Sequence, residues 1–540
     1  MESIGGDLNQ MPRVPLADAH VAEIRAIGTP RSYEKGCMVA EVGDPMDRFV
    51  YVVDGEIEAV DPFSGARMFD ATMGPTQFMG DLALLNAGSF TLPMRAATDL
   101  ETIEVEREPM MALMARLPEL SDHVLTVFAA RRRRTFEEHR SAIRVIGGDK
   151  DPAVQAVASF LSRNRIPYDS FDLETDDEEG AALCRLADHT PSVVFGKDHI
   201  VEEPTPRKVA QLLGLDLNMC NTEAADLVIV GGGPAGVAAA VYAGSEGLCA
   251  VVIEDTAIGG QAGMSSRIEN YMGFPTGISG TDLIFRGEIQ ALKFGARFVM
   301  PRRVEGLERR DGQFCVKLNE GDEVCARAVL VATGVQYRRL PLPGLERLEG
   351  AGIFYAATDL EARFCRGREA VIIGGGNSAG QAAMHLSRSA GCVHLIVREE
   401  KLSQFMSSYL LERLQADPAI KIHLESEVTA LHGEERLEGV TVKGPDGETR
   451  IDAGAMFVMI GAAPNTDWLK GMVELDEQGF VRTGRDSGGR SQFETGTHGI
   501  FAVGDVRATS VKRVASAVGE GSVVVSEIWK HIDDLGEKNA

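Results

Sequence analysis

Between Asp226 and Gln261 the chain reads DLVIVGGGPAGVAAAVYAGSEGLCAVVIEDTAIGGQ, an order that few folds accommodate. A strand-like apolar run, Leu227 to Val230, leads into Gly231, Gly233 and Gly236 in G-x-G-x-x-G spacing. A helix of small residues follows, then a second apolar run, Ala250 to Ile253, ending at Glu254. Strand, tight turn, helix and strand predict one β-α-β crossover. In this spacing the first glycine permits the sharp turn, the second lets the backbone approach a pyrophosphate, and the third packs the helix on the sheet. Pro234 and Ala235 stand between the second and third glycines in the same cradle. The pyrophosphate would rest on the helix N-terminus, where unpaired N–H groups and the helix dipole favour an anion. Glu254 is spaced to accept from ribose hydroxyls.

The device recurs. Ala370 to Ile373 is a short strand, Gly374, Gly376 and Ala379 repeat the fingerprint with alanine third, and Val393 to Val397 supplies the next strand. Two such loops imply two nucleotides. Other stretches complete a pattern: GGQ at Gly259 to Gln261, IENYMGFP at Ile268 to Pro275, ATG at Ala332 to Gly334, GGGNSA at Gly374 to Ala379, GAAPNT at Gly461 to Thr466 and GIFAVGD at Gly499 to Asp505. With these motifs, 226–535 resembles the thioredoxin reductase branch of the two-dinucleotide-binding-domain flavoproteins.

The resemblance implies two Rossmann-like, three-layer α/β domains. One, over 226–336 and 463–535, would hold FAD. The other, over 337–462, would be inserted into it and hold NADPH. Carried over residue by residue, the FAD set is Gly231, Gly233, Pro234, Ala235, Gly236, Glu254, Gly260, Gln261, Asn270, Ala332, Thr333, Gly334, Gly504, Asp505, Arg513, Val514 and Ala515. Asp505 would accept a flavin ribityl hydroxyl, and a helix N-cap is the plainer role for it. The NADPH set is Gly374, Gly376, Asn377, Ser378, Ala379 and Arg398. Thioredoxin reductases place a His-Arg-Arg cluster and a further arginine around the 2′-phosphate. Here Val397, Arg398 and Glu399 stand at the cluster and Ser403 at the distal arginine. One arginine favours NADPH, Glu399 opposes it, and NADH stays open.

The N-terminal part reads differently. From Pro12 to about Arg140, short strand runs with glycines at the turns suggest a small barrel or jelly roll followed by helices. With FMGDLALL at Phe78 to Leu85, this order resembles the cyclic-nucleotide-binding domain, over 12–140. That family keeps an acid for the ribose, and Asp81 fills its place. It keeps an arginine for the cyclic phosphate, and Phe90 stands there. An apolar ring offers no paired donors to a phosphate, and Arg95 lies where the next strand should run. The expectation is the fold without tight cyclic-nucleotide binding.

From 143 to 216, a strand ending in VIGG, a helix from Asp151, a strand YDSFDLE, and HTPSVVF with a closing helix resemble a thioredoxin or glutaredoxin-like domain. Pro191 stands where that family keeps a cis proline. No cysteine sits near Gly148 to Asp151, where its catalytic pair would be, and without a thiolate there is no disulfide exchange. Residues 217–225 read as a linker.

At 540 residues the chain exceeds one core. Its net charge of −25 argues against nucleic acid or an anionic membrane surface as the main partner. Its one basic run, Arg131 to Arg134, reads as a solvated helix face. No apolar stretch reaches the ~18 residues of a membrane span, and the N-terminus lacks a signal-peptide pattern, so a cytoplasmic protein is expected. The resemblance implies a homodimer.

The eight cysteines include no C-x-x-C. Cys315 and Cys325 lie symmetrically about Glu320 in an expected hairpin and could face each other, although ordinary buried thiols are the reading adopted. Thioredoxin reductases carry a C-x-x-C about fifteen residues before the second glycine loop. Here Ala356 to Leu360 occupy that region, and Cys365 stands alone. The reading is therefore an FAD-dependent NADPH oxidoreductase without an internal redox disulfide, passing electrons to an unidentified small-molecule or protein acceptor. Asp359 or Glu361 is a candidate proton donor. A ferredoxin-NADP reductase-like enzyme and a non-catalytic redox or ligand-sensing regulator are the alternatives.

Overall fold

The computed structural model describes residues 14–138, 141–148, 151–172, 191–196, 199–216, 225–265, 267–337, 339–349, 351–355, 357, 362, 365–404, 406–434 and 436–539. The candidate proton donors Asp359 and Glu361 lie outside the described residues, as do Thr190 of the Thr-Pro pair and 217–224 of the expected linker. Ala225, the last residue of that linker, instead opens a strand.

The N-terminal unit is two facing antiparallel sheets. One runs Thr29–Tyr33, Leu100–Glu106, Arg48–Asp54, Phe78–Met79, and the other Met38–Ala40, Met94–Ala96, Ile57–Ala59. Arg48–Asp54 buries Phe49, Val50, Tyr51 and Val52 in succession, so both its faces are covered. Phe78 stacks on Phe49 at a centroid distance of 5.0 Å and meets Phe128 edge-on at 5.9 Å, tying the sheet to helix α1, Pro118–Glu137.

The basic run near the end of α1 is not a uniformly solvated face. Arg131 falls on the same side as Val124, Val127 and Phe128, which are all buried. Its guanidinium lies over the Phe78 ring at 5.2 Å and its Nη1 donates to the carbonyl of Gly80. The 3.6-residue period carries the apolar stripe through the charge run and turns one arginine inward. Arg133 and Arg134 pair outward with Glu137 and Glu138.

The second unit is a four-stranded sheet in the order His199–Glu202, Ser192–Phe195, Ile143–Gly147, Asp169–Asp172. Its last two strands run parallel, joined across the helix Pro152–Arg163, and the first two form an antiparallel hairpin. Buried Arg302 ties this unit to the third. It donates to Asp216 at 2.6 Å and lies 2.7 Å from Asp322, while Arg207 reaches Asp216, Asp322 and Glu320.

The third unit is a seven-stranded sheet. Arg297–Val299, Ala250–Ile253, Ala225–Val230 and Glu323–Val331 run parallel, Ile500–Ala502 joins the last of these, and Gln313–Leu318 and Val304–Arg310 extend it as an antiparallel meander. Helices α2 (Pro234–Ser245) and α3 (Gly280–Lys293) lie against it. The fourth unit is a five-stranded parallel sheet, Ile353–Phe354, Ala453–Val458, Glu369–Ile373, Cys392–Ile396, Ile420–His423, with helix α4 (Asn377–Leu386) after its central strand. Val335–Tyr337 and Ala462–Pro464 pair antiparallel where the chain leaves one Rossmann-like unit for the other and returns. The chain ends in α5, Val514–Asn539. Among the described residues no helix is long and apolar enough to cross a membrane.

One cysteine expectation is corrected. Cys315 and Cys325 are not separate thiols but a disulfide, with Cα atoms 4.1 Å apart. Antiparallel register sets them directly opposite each other, and cross-strand neighbours outside the hydrogen-bonded pairs approach to about 4.5 Å between Cα atoms.

Candidate functional site

The two glycine loops cap the carboxyl ends of parallel strands, each in its own sheet, where ligands of open α/β folds gather. In the first, Gly231 has φ +109°, and a Cβ there would lie 2.4 Å from the carbonyl oxygen of Ala332. A Cβ on Gly236 would lie 1.9 Å from the carbonyl oxygen of Gly231, so only glycine lets α2 seat on the loop. A Cβ on Gly233 would meet nothing within 4 Å. The loop is thus closed at its first and third glycines and open at its second, as a backbone that receives a pyrophosphate requires. Pro234 begins α2, and Ala235 behind it is buried.

Glu254 is buried at 8% exposure, and both its oxygens are engaged: Oε2 accepts from Gly232 N–H at 2.8 Å and Oε1 from Thr256 N–H at 3.1 Å. Burial and then the neighbouring Asp255 push its carboxyl up to about 7, against those hydrogen bonds. It braces the loop directly, a role the spacing argument did not include.

Three further stretches converge here. Gly259 N–H donates to the carbonyl of Gly232, and Gly260 runs over Gly233. Gln261 donates from Nε2 to the carbonyl of Val335 at 2.6 Å, bridging to the Ala332-Thr333-Gly334 turn, where Gly334 has φ +59°. Thr333 donates to the carbonyl of Asn465. Asn270 is exposed and brings no hydrogen bond to this set, whereas its neighbour Glu269 pairs with Arg413 of the second Rossmann-like unit.

Gly504, at φ +72°, donates to Glu520 at 2.7 Å, and its absent side chain leaves room for Ala235. Asp505 is half-buried. Burial pushes its carboxyl up, Lys512 pulls it back and Glu520 adds to the rise. It sits in a short turn, Gly504–Val506, while α5 starts at Val514, so Asp505 is not the cap of that helix. Arg513 precedes α5, which Val514 and Ala515 open. Its N-terminus joins that of α2 on one side of the sheet, and Gly521 lies against the carbonyl of Ala235, where a Cβ would fall at 2.3 Å. Sequence reasoning missed Glu520 and Gly521. An acid and a small residue side by side in the terminal helix were the available signal.

The second loop repeats the pattern. Gly374 has φ +139° with Met459 carbonyl 2.3 Å from its absent Cβ, and Gly376 faces open space. Ala379 is fully buried where the third glycine would be. Asn377 accepts from Ser407 N–H at 2.8 Å, Ser378 is exposed, and Arg398 is exposed at the end of the next strand beside half-buried Glu399.

In the N-terminal unit Asp81 caps its own turn by accepting from Ala83 N–H at 2.6 Å. Phe90 is buried at 3% exposure. Arg95 lies in the strand Met94–Ala96 and is held by Glu58 through Nε and Nη2. Neither Phe90 nor Arg95 replaces a free phosphate-binding arginine.

The sequence model of the pyridine nucleotide-disulphide oxidoreductases matches residues 225–521, and that of the cyclic nucleotide-binding domain matches 30–117. The thioredoxin reductase of Mycolicibacterium smegmatis is 36% identical over 312 residues, covering 56% of this chain and 96% of the relative. That of Streptomyces clavuligerus is 33% identical over 315 residues, covering 58% and 95%. The crystal structure of Lactococcus lactis thioredoxin reductase in its FR conformation superposes with a TM-score of 0.53 at 28% identity, covering 57% of this chain and 99% of that one.

Proposed function

The chain belongs to the pyridine nucleotide-disulphide oxidoreductase family, and from that premise we propose that it is an FAD-dependent NADPH oxidoreductase whose electrons leave by a route other than an internal disulfide. One observation carries the reading: each Rossmann-like sheet ends in a glycine loop that is sterically closed except at its second glycine, which faces open space beneath a helix N-terminus.

The residues present suit the two cofactors. The open backbone at Gly233, with the N-termini of α2 and α5, suits the FAD pyrophosphate. Gly260, Gln261 and the Ala332–Gly334 turn would flank the flavin, and Asp505 would accept from its ribityl chain. Gly376, Asn377 and Ser378 would take the nicotinamide dinucleotide, with Arg398 at the 2′-phosphate. FAD, when bound, would supply the redox chemistry between the nicotinamide and an acceptor. The protein's part would be to orient the two rings, with the paired strands Val335–Tyr337 and Ala462–Pro464 connecting the two units.

Two features support an exit that uses no dithiol. The stretch 352–368 carries one cysteine, Cys365, which is fully buried, donates to the carbonyl of Ala362 and has its thiol pushed up by burial. The disulfide at Cys325 lies seven residues before Ala332 on one strand. At ~3.3 Å per residue that is roughly 23 Å from the turn beside the candidate flavin site. Direct reduction of thioredoxin is not expected.

Anaerobic titration of the purified protein with NADPH is the test, followed by an acceptor panel. The panel holds quinones, oxygen, ferredoxin, cytochrome c and 5,5′-dithiobis-nitrobenzoate with and without thioredoxin. Bleaching of the flavin at one equivalent of NADPH, with turnover independent of thioredoxin, is the expected result. Thioredoxin-dependent turnover, or a protein that takes up no flavin, refutes the proposal.

A further inference from the structure

A cavity of about 260 Å³ lies where the first three units meet. It is close to the lower end of the ~300–1,000 Å³ usual for small-molecule sites. The barrel contributes Met73, Met79, Phe90 and Met94, and the flavoprotein side contributes Ile284, Phe285 and Leu292 from α3. These walls are apolar. The charged groups around the cavity are Arg131, Arg132, Arg134, Arg163 and Arg165 against Asp81 and Glu288.

Two of these cations are already matched. Arg134 pairs with Glu138, and Arg165 pairs with Asp282 while lying over the Phe285 ring at 4.8 Å. Arg131 is different. Among the described residues its Nη1 reaches the Gly80 carbonyl alone, and its Nη2 is buried without a hydrogen-bond partner. Asp81, the acid that acts on it, spends an oxygen on Ala83 N–H. A buried guanidinium donor left unmade costs more than a neutral one, so an acceptor is the missing component. A phosphate would want several such donors, whereas Arg134 and Arg165 are already paired and Phe90 and the methionines supply none.

We propose that this cavity is a binding site for a small monocarboxylate with an apolar body, its head accepting from Arg131 and its body lying against α3. Loss of one charge-assisted hydrogen bond of this kind should weaken binding roughly ten- to 100-fold.

Octanoate is the probe, titrated by calorimetry into the full-length protein with 1-octanol, inorganic phosphate and cyclic AMP as comparators. One-to-one octanoate binding at least tenfold tighter than octanol is expected, with negligible binding of phosphate. Arg131→Gln should remove that advantage, and Met73→Trp should block octanoate while leaving Arg131 in place. If Arg131→Gln does not fold, the wild-type octanoate-to-octanol ratio and Met73→Trp decide the matter. Equal binding of octanol and octanoate, unchanged octanoate binding by Met73→Trp, or displacement of octanoate by a tighter-binding cyclic AMP overturns the proposal. So does an absence of octanoate binding at millimolar concentration.

Discussion

Replacing Gly233 and Gly236 one at a time separates the two jobs of the first glycine loop. In Gly236→Ala the new methyl would sit 1.9 Å from the carbonyl oxygen of Gly231, and backbone cannot yield as a flexible side chain can. Relief needs α2 to lift by about 1 Å, an overpacking that costs about 1–3 kcal/mol or more. Alanine in place of a helical glycine would otherwise gain up to about 1 kcal/mol, so a loss of stability here isolates the clash. In Gly233→Ala the methyl meets no protein atom within 4 Å. The folded protein should then change by less than about 1 kcal/mol, the scale of an N-cap exchange. Its methyl does occupy the space assigned to the pyrophosphate. A comparable 1–3 kcal/mol of crowding there weakens FAD binding roughly five- to 150-fold. Thermal unfolding of the flavin-free proteins and fluorescence titration of each with FAD give both numbers. A Gly233→Ala protein that binds FAD as tightly as wild type would refute the assignment of the open glycine to the pyrophosphate.

Other outcomes rest on the same geometry. Glu254 has its folded-state carboxyl raised to about 7, above its unfolded value of about 4.3. The folded state therefore holds the proton more tightly, and stability should fall as pH rises from about 5 through 7; Glu254→Gln should flatten that decline in melting temperature against pH. Replacing both Cys315 and Cys325 by serine opens a ten-residue loop and should cost up to roughly 3 kcal/mol by denaturant unfolding. Flavin reduction by NADPH should be unaffected, and a lost turnover would instead make the pair redox-active. Arg398→Ala should weaken NADPH roughly tenfold or more while sparing NADH, read as the ratio of kcat/KM values for flavin reduction.

Legibility along the chain tracked how local the physics is. The glycine loops stood out because their spacing is dictated within a few residues: the turn at Gly231 and the contact of Gly236 with its carbonyl involve a single crossover. Ala379 could stand for a third glycine for the same local reason. The Cys315–Cys325 bond was less legible because it depends on register, set by the short turn Asn319–Gly321 between the two strands. Composition alone cannot distinguish facing thiols from offset ones. Arg131 was misread because four consecutive arginines suggest solvent, whereas its partners on the helix face are Val124, Val127 and Phe128. Glu254 was found by spacing, but its grip on Gly232 came from burial. The cavity is the least local feature, with walls from three units far apart in the chain.

Ile258 borders both that cavity and the first glycine loop, its Cδ1 lying 2.8 Å from where a Cβ on Gly232 would be. That side chain is therefore part of the partition between the front of the chain and its dinucleotide cradle. Trimming the polypeptide to 225–540 would lay that partition bare to water. It would also strip Arg302 of Asp216 and leave the inner side of α3 uncovered. The reductase-like portion is tied to its N-terminal companions by contacts that cutting it free would remove.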